Sequence, residues 1–117
     1  MAQYLLLLYA NPADWMKFSP EEMQKAIEKY VAWGMKASQS GFLKGSHKLT
    51  NDVGKVLRGK TNARVTDGPY SETKEVLGGY YLIEASDYNQ AVERSKDHPH
   101  LGFGGTIEVR EVDNLGG

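Results

Sequence analysis

From Tyr4 to Ala10 every side chain is apolar or aromatic, and the run stops at Asn11-Pro12. It is far shorter than the ~20 residues needed to cross a membrane as a helix. A short unbroken apolar run fits a β-strand covered on both faces. Such a strand needs a sheet to sit in and something to pack on each side of it. The rest of the chain has to supply both.

Ser19-Pro20-Glu21-Glu22 is a helix start. Ser19 can cap, Pro20 suits the first turn, and Glu22 stands where a capping box puts its carboxylate. Met23, Ala26, Ile27, Tyr30, Trp33 and Ala37 follow at helical spacing, and Gly41 is a C-terminal stop. This predicts a helix over residues 20–40. Three short strands come next, at 45–49, 55–58 and 63–66, with turns at 51–54 and 59–62. A firmer strand spans 79–85. Asp87 caps a second helix, with Gln90 as its box partner and Tyr88, Ala91, Val92 and Ser95 along one face. His98-Pro99 stops that helix, residues 102–105 form a glycine-rich link, and a last strand spans 106–112.

The order is β, long α, several β, shorter α, β over one domain, residues 1–117. It predicts an α+β fold: a ferredoxin-like split βαβ with an extra hairpin, and helices on one face of the sheet. Alternation in the last strand sends Ile107 and Val109 to the helix side and Glu108 and Arg110 to the other. In the strand before it, Tyr81 and Ile83 face the helices, while Tyr80 and Leu82 do not. A helix-free face carrying Tyr80 and Leu82 calls for a cover. A second copy of the chain is the simplest one, which predicts a homodimer through that face.

Composition excludes several alternatives. Net charge is −1, from 14 basic and 15 acidic side chains. Direct nucleic-acid binding, which needs a basic face, is not expected. The chain has no Cys, hence no disulfide, Cys-ligated zinc or thiol nucleophile. No Lys or Arg precedes the first apolar run, so it does not read as a signal peptide, and a cytoplasmic, non-membrane protein is expected. Gly102-Phe103-Gly104-Gly105 precedes a strand, not a helix, so it is a connector and not a phosphate loop. No cofactor is expected.

Asp67-Gly68-Pro69-Tyr70-Ser71-Glu72-Thr73-Lys74-Glu75 resembles the D-G-P-F-A-E-T-K-E signature of the DGPF group within the YCII-related proteins. Tyr70 stands where that group usually has Phe, and Ser71 where it often has Ala. The first and last strands are similar to the family's own. The resemblance implies a face-to-face dimer of the dimeric α+β barrel type. It also implies one of two roles. One is a small lyase or isomerase built on a His–Asp pair. The other is a non-catalytic module, such as an accessory partner of an alternative sigma factor. The family's His lies on the first helix, and this chain has none there.

The candidate site residues follow. Asp67 either orders its turn or acts as a base or His orienter. His98 and His100 are the candidate acid–base partners of Asp67, because His titrates near neutral pH. As a metal pair they lack completing ligands, so no metal is expected. Glu72, Lys74 and Glu75 are either solvated charge or, as the resemblance implies, the lining of a polar pocket. Arg110 and Glu108 either neutralise each other or bind a carboxylate ligand through the Arg fork. Tyr9 would suit an aromatic or cyclic small-molecule ligand beside them, though core packing explains it as well.

Overall fold

The apolar run becomes β1 (Ala2–Ala10), an inner strand of a four-stranded antiparallel sheet. The computed structural model describes residues 1–52, 54–68 and 75–115. The remaining elements are α1 (Pro12–Met16), α2 (Pro20–Gln39), β2 (Leu43–Lys48), β3 (Lys55–Arg58), β4 (Arg64–Asp67), β5 (Val76–Ala85), α3 (Tyr88–Ser95), α4 (Pro99–Gly102) and β6 (Thr106–Glu111). The sheet order is β2-β5-β1-β6, with β3 and β4 in a two-stranded sheet of their own. Each β-α-β unit therefore straddles a strand of the other, as the split arrangement requires.

The helices pack on the face of β1 that carries Tyr4, Leu6 and Leu8. These residues form one buried cluster with Trp33 and Ala37 of α2, Ile83 and Ala85 of β5, and Ala91 of α3. Trp15 of α1 joins the same side through its ring contact with Tyr30. The other face carries Leu5, Leu7, Tyr80 and Leu82, all half-buried. Among the described residues no helix covers it, so the isolated chain satisfies only one of the two faces that its apolar run asks to have covered. No described helix is long and apolar enough to cross a membrane.

The predicted caps form as read at α2. The Ser19 side chain accepts from the Glu22 N–H, and the Glu22 carboxylate accepts from the Ser19 N–H. At α3, Asp87 accepts from the Gln90 N–H, but the Gln90 side chain accepts from Ser86 and not from Asp87. Two short helices occupy segments read as turn or link. Asn11 caps α1 by accepting from the Ala13 N–H, and His98 caps α4 by accepting from the His100 N–H. In both, Pro opens the helix, where its missing donor costs nothing. The turn after β4 has Gly68 at φ 64°, the left-handed conformation that Gly takes without strain.

The capping box is an isolated local contribution. Ser19→Ala should lower stability by about 1 kcal/mol, a fall in Tm of roughly 4 °C for a domain of this size. Thermal unfolding followed by circular dichroism measures it, with Ser19→Thr expected to stay close to the parent.

Candidate functional site

The open face has a definite layout. Ladder pairing places Leu7 between Glu108 and Tyr80, and Leu5 between Arg110 and Leu82. The apolar floor is thus Leu5, Leu7 and Leu82. On its β6 side the Tyr9 phenol donates to Glu108 Oε1 at 3.4 Å, and Glu108 Oε2 lies 3.6 Å from the Arg110 guanidinium. On its β2 side the Tyr80 hydroxyl meets His47 Nδ1 at 2.7 Å. With strands ~4.8 Å apart, these two polar groups stand ~10 Å from each other across the floor. Burial and the nearby Glu108 carboxylate raise the Tyr9 pKa, so its phenol keeps its proton at neutral pH.

The same end of β1 collects further polar groups. Thr106, paired with Tyr9 in the ladder, donates its hydroxyl to Glu75 at 3.0 Å. From below the sheet, His100 Nε2 lies 2.7 Å from the Tyr9 carbonyl oxygen. A carbonyl can only accept, so Nε2 carries the hydrogen. Nδ1 is then a bare acceptor, filled by the Tyr30 hydroxyl at 2.6 Å. The structure therefore brings Tyr9, Glu75, Glu108, Arg110 and His100 to one end of the sheet. Glu72 and Lys74 lie outside the described residues.

His98 sits deeper. Its Nδ1 accepts from the His100 N–H at 2.9 Å, so Nε2 carries the hydrogen and reaches the Tyr81 hydroxyl at 3.0 Å. The rings of Tyr30, Trp33 and Tyr81 pack edge-on around it, with centroids 4.6–5.1 Å away. Burial, and secondarily the neighbouring His100, lowers the His98 pKa from 6.5 to about 4. Burial also lowers that of His100, against the opposing effect of its bond to Tyr9. Burial pushes the Tyr81 phenol up to about 12. Both histidines are neutral at pH 7 and bonded on both ring nitrogens.

Asp67 lies elsewhere. It is exposed at the end of β4, where its carboxylate pairs with Lys55 directly across the hairpin. The expected grouping of Asp67 with His98 and His100 thus resolves into two settings, a solvated hairpin and a buried ring cluster. Among the described residues no hydrogen bond or ion pair links them. His47, given no role from sequence, faces the open floor. Its signal was faint: a lone His in a short strand whose partner, Tyr80, emerges only from the register. An open groove of about 750 Å³ lies at the opposite end of β1, lined by Gln3, Glu84, Glu111 and Asp113 among others. Among the described residues its lining has no His, Tyr or Arg. Among the described residues no group of three or more His, Asp or Glu side chains is placed to hold a metal ion.

An antiparallel sheet with helices on one face and polar groups gathered on the other is the class of small α+β protein defined here. The model of the YCII-related domain matches residues 2–115, and the chain belongs to that family. An uncharacterised protein of Rhizobium meliloti (strain 1021) is 28% identical over 112 residues, covering 93% of this chain and 90% of that protein. Among solved structures, 5-chloro-2-hydroxyhydroquinone dehydrochlorinase from Burkholderia phenoliruptrix AC1100, in complex with 2,5-dihydroxybenzoquinone, is similar at 15% identity and a TM-score of 0.44. The similarity covers 95% of both chains.

The buried histidines set a pH dependence. An unfolded chain protonates His98 near pH 6.5, whereas the folded chain resists until about pH 4. Stability is then complete above pH 6.5 and is lost as pH falls toward 4, by up to about 3 kcal/mol. Urea midpoints between pH 8 and pH 4 measure the slope. His98→Asn keeps an oxygen to cap α4 but cannot titrate, so it should flatten the slope while lowering stability at pH 8.

Proposed function

We propose that the chain is a small lyase or isomerase that moves a proton on a compact polar organic molecule bound on the helix-free face. One observation carries the reading. A protonated phenol, a carboxylate and a guanidinium are joined in a line, Tyr9–Glu108–Arg110, at the margin of an apolar floor. The side chains of Arg110 and Glu108 are 65% and 43% exposed, so their ion pair is worth little and is cheap to open. A substrate carboxylate that takes the Arg110 fork releases Glu108. Glu108 then removes a proton from a carbon beside a carbonyl. The C–H electron pair moves into the carbonyl, and the Tyr9 phenol hydrogen-bonds the developing enolate oxygen. In a lyase that electron pair returns and expels a group from the next carbon. In an isomerase the proton is returned to a different atom. Asp67, held by Lys55 on the hairpin, has no part in this scheme.

A second copy on the open face completes the reading, in the manner of a dimeric α+β barrel. Leu5, Leu7, Tyr80 and Leu82 supply the apolar centre, and a second sheet laid over them would exclude water from the Tyr9–Glu108 pair. Interfaces of this kind bury ~2,000 Å² or more. Sedimentation at low micromolar concentration should give twice the chain mass of 13.0 kDa. Leu7→Glu should give the monomer, and a parent protein that stays monomeric would remove the cover this reading needs.

The chemistry is tested by solvent-deuterium exchange into a panel of small keto acids and hydroxylated cyclic acids, followed by NMR. Exchange catalysed by the parent should fall at least ~10²-fold in Glu108→Gln, while thermal-shift binding of the same compounds survives there and is lost in Arg110→Gln. Binding without exchange in the parent would favour a second reading, a ligand-binding module, which the mutual pairing of Glu108 and Arg110 also suits. Exchange that persists in Glu108→Gln would refute the assignment.

A further inference from the structure

We propose that His100, clamped by Tyr30 beneath the sheet, is the positioning residue that holds the Tyr9 backbone and so aims the Tyr9 phenol at Glu108 on the opposite face. The inference rests on the Tyr9–Glu108 pair being the working end of the site. Tyr9 occupies a weak point of β1. On one side the ladder with β5 slips there, pairing Leu8 with Gly79 but Tyr9 with Leu77 and skipping Gly78. On the other side Tyr9 pairs with Thr106, the first residue of β6. The ladder is therefore irregular on one side, and ends on the other, at the residue whose side chain must be aimed. The His100 imidazole takes over, donating from Nε2 to the Tyr9 carbonyl and accepting at Nδ1 from Tyr30 of α2.

The seat of that ring is built for it. The His100 carbonyl accepts from the Gly105 N–H at 2.9 Å, and a Cβ at Gly105 would stand 2.2 Å from His100 Nε2. Only glycine before β6 leaves room for the ring. His100 itself is 4% exposed, so it acts on the open face through the strand and not by touching a ligand.

The experiment uses protein carrying 13C at the tyrosine ζ position, with Tyr9→Phe assigning the Tyr9 signal. In the parent, Glu108→Gln should displace that signal, because Glu108 is its hydrogen-bond partner. In a His100→Phe background, which keeps the ring volume and loses both bonds, the same substitution should displace it by less than half as much. His100→Gln places an amide donor near the former Nε2 and should restore the response. Full displacement in a folded His100→Phe protein overturns the proposal. If His100→Phe does not fold, Tyr30→Phe decides: it leaves the imidazole unheld at Nδ1 and should weaken the response, and an undiminished response overturns the proposal. The readout needs no turnover. A response that depends on His100 in a protein without exchange activity keeps the positioning role and removes the catalytic one, whereas activity that is lost in Glu108→Gln but unmoved in His100→Phe does the reverse.

Discussion

The antiparallel pairing of β1 with β5 is the contact on which the rest of the molecule depends. Its register sets Tyr4 opposite Ile83 and Leu6 opposite Tyr81, and so gathers the large apolar groups of two inner strands under α2 and α3. A slip of one residue would turn Leu6 and Leu8 to the other face and bring Leu5 and Leu7 under the helices. Because Leu5 to Leu8 are all leucine, composition alone hardly opposes that slip. The neighbours do: Ile83 and Ala85 are fully buried and belong on the helix side, while Glu84, paired with Lys44, belongs on the other. Strand β5 specifies the face that β1 leaves ambiguous.

Polar rings complete the core below this pair. Tyr30, Trp33, Tyr81, His98 and His100 each bring a polar atom into the interior, and none of the described buried side-chain polar atoms lacks a hydrogen-bond partner. The Trp33 indole donates to Asp97 at 2.9 Å, a bond that, more than the nearby Lys36, lowers the Asp97 pKa. The histidines are kept neutral, so the interior carries no net charge at working pH. A cluster satisfied this completely trades plasticity for definition, because each ring has one orientation that suits its partners. The open face thus stands on a stiff support.

Elements with strong local signals were legible in the sequence. Ser19 and Glu22 announced α2, Asp87 announced α3, and alternation in 106–110 placed Ile107 and Val109 inward and Glu108 and Arg110 outward, as the pairing bears out. The Tyr9–Glu108–Arg110 grouping was within reach because all three lie on the first and last strands of a split βαβ. The one-turn helices α1 and α4 were missed, since Asn11-Pro12 ends a strand and His98-Pro99 ends a helix with the same residues that start the next one. The burial of His98 and His100 was illegible for a related reason. A His-Pro-His break looks like exposed turn, and only the tyrosines brought in from α2 and β5 make it an interior. The pairing of His47 with Tyr80 needed a register that no local pattern encodes.

The β3–β4 hairpin leaves the body of the protein between two adjacent antiparallel strands. The chain leaves β2 at Leu49 and re-enters the sheet at Val76 of β5, and the Leu49 N–H donates to the Gly78 carbonyl at 2.9 Å to close the neck. Apart from the Glu75–Thr106 bond at its return, an excursion tied off in this way leans little on the sheet it interrupts. Lengthening it adds closure entropy only logarithmically, and rewriting its surface disturbs no ladder. Leu57 and Val65, 65% and 60% exposed on its flank, sit where they can be exchanged without cost to the core. The four strands act as chassis and the hairpin as a replaceable fitting. Substitutions along residues 55–66 can therefore accumulate without touching the four strands on which the site is built.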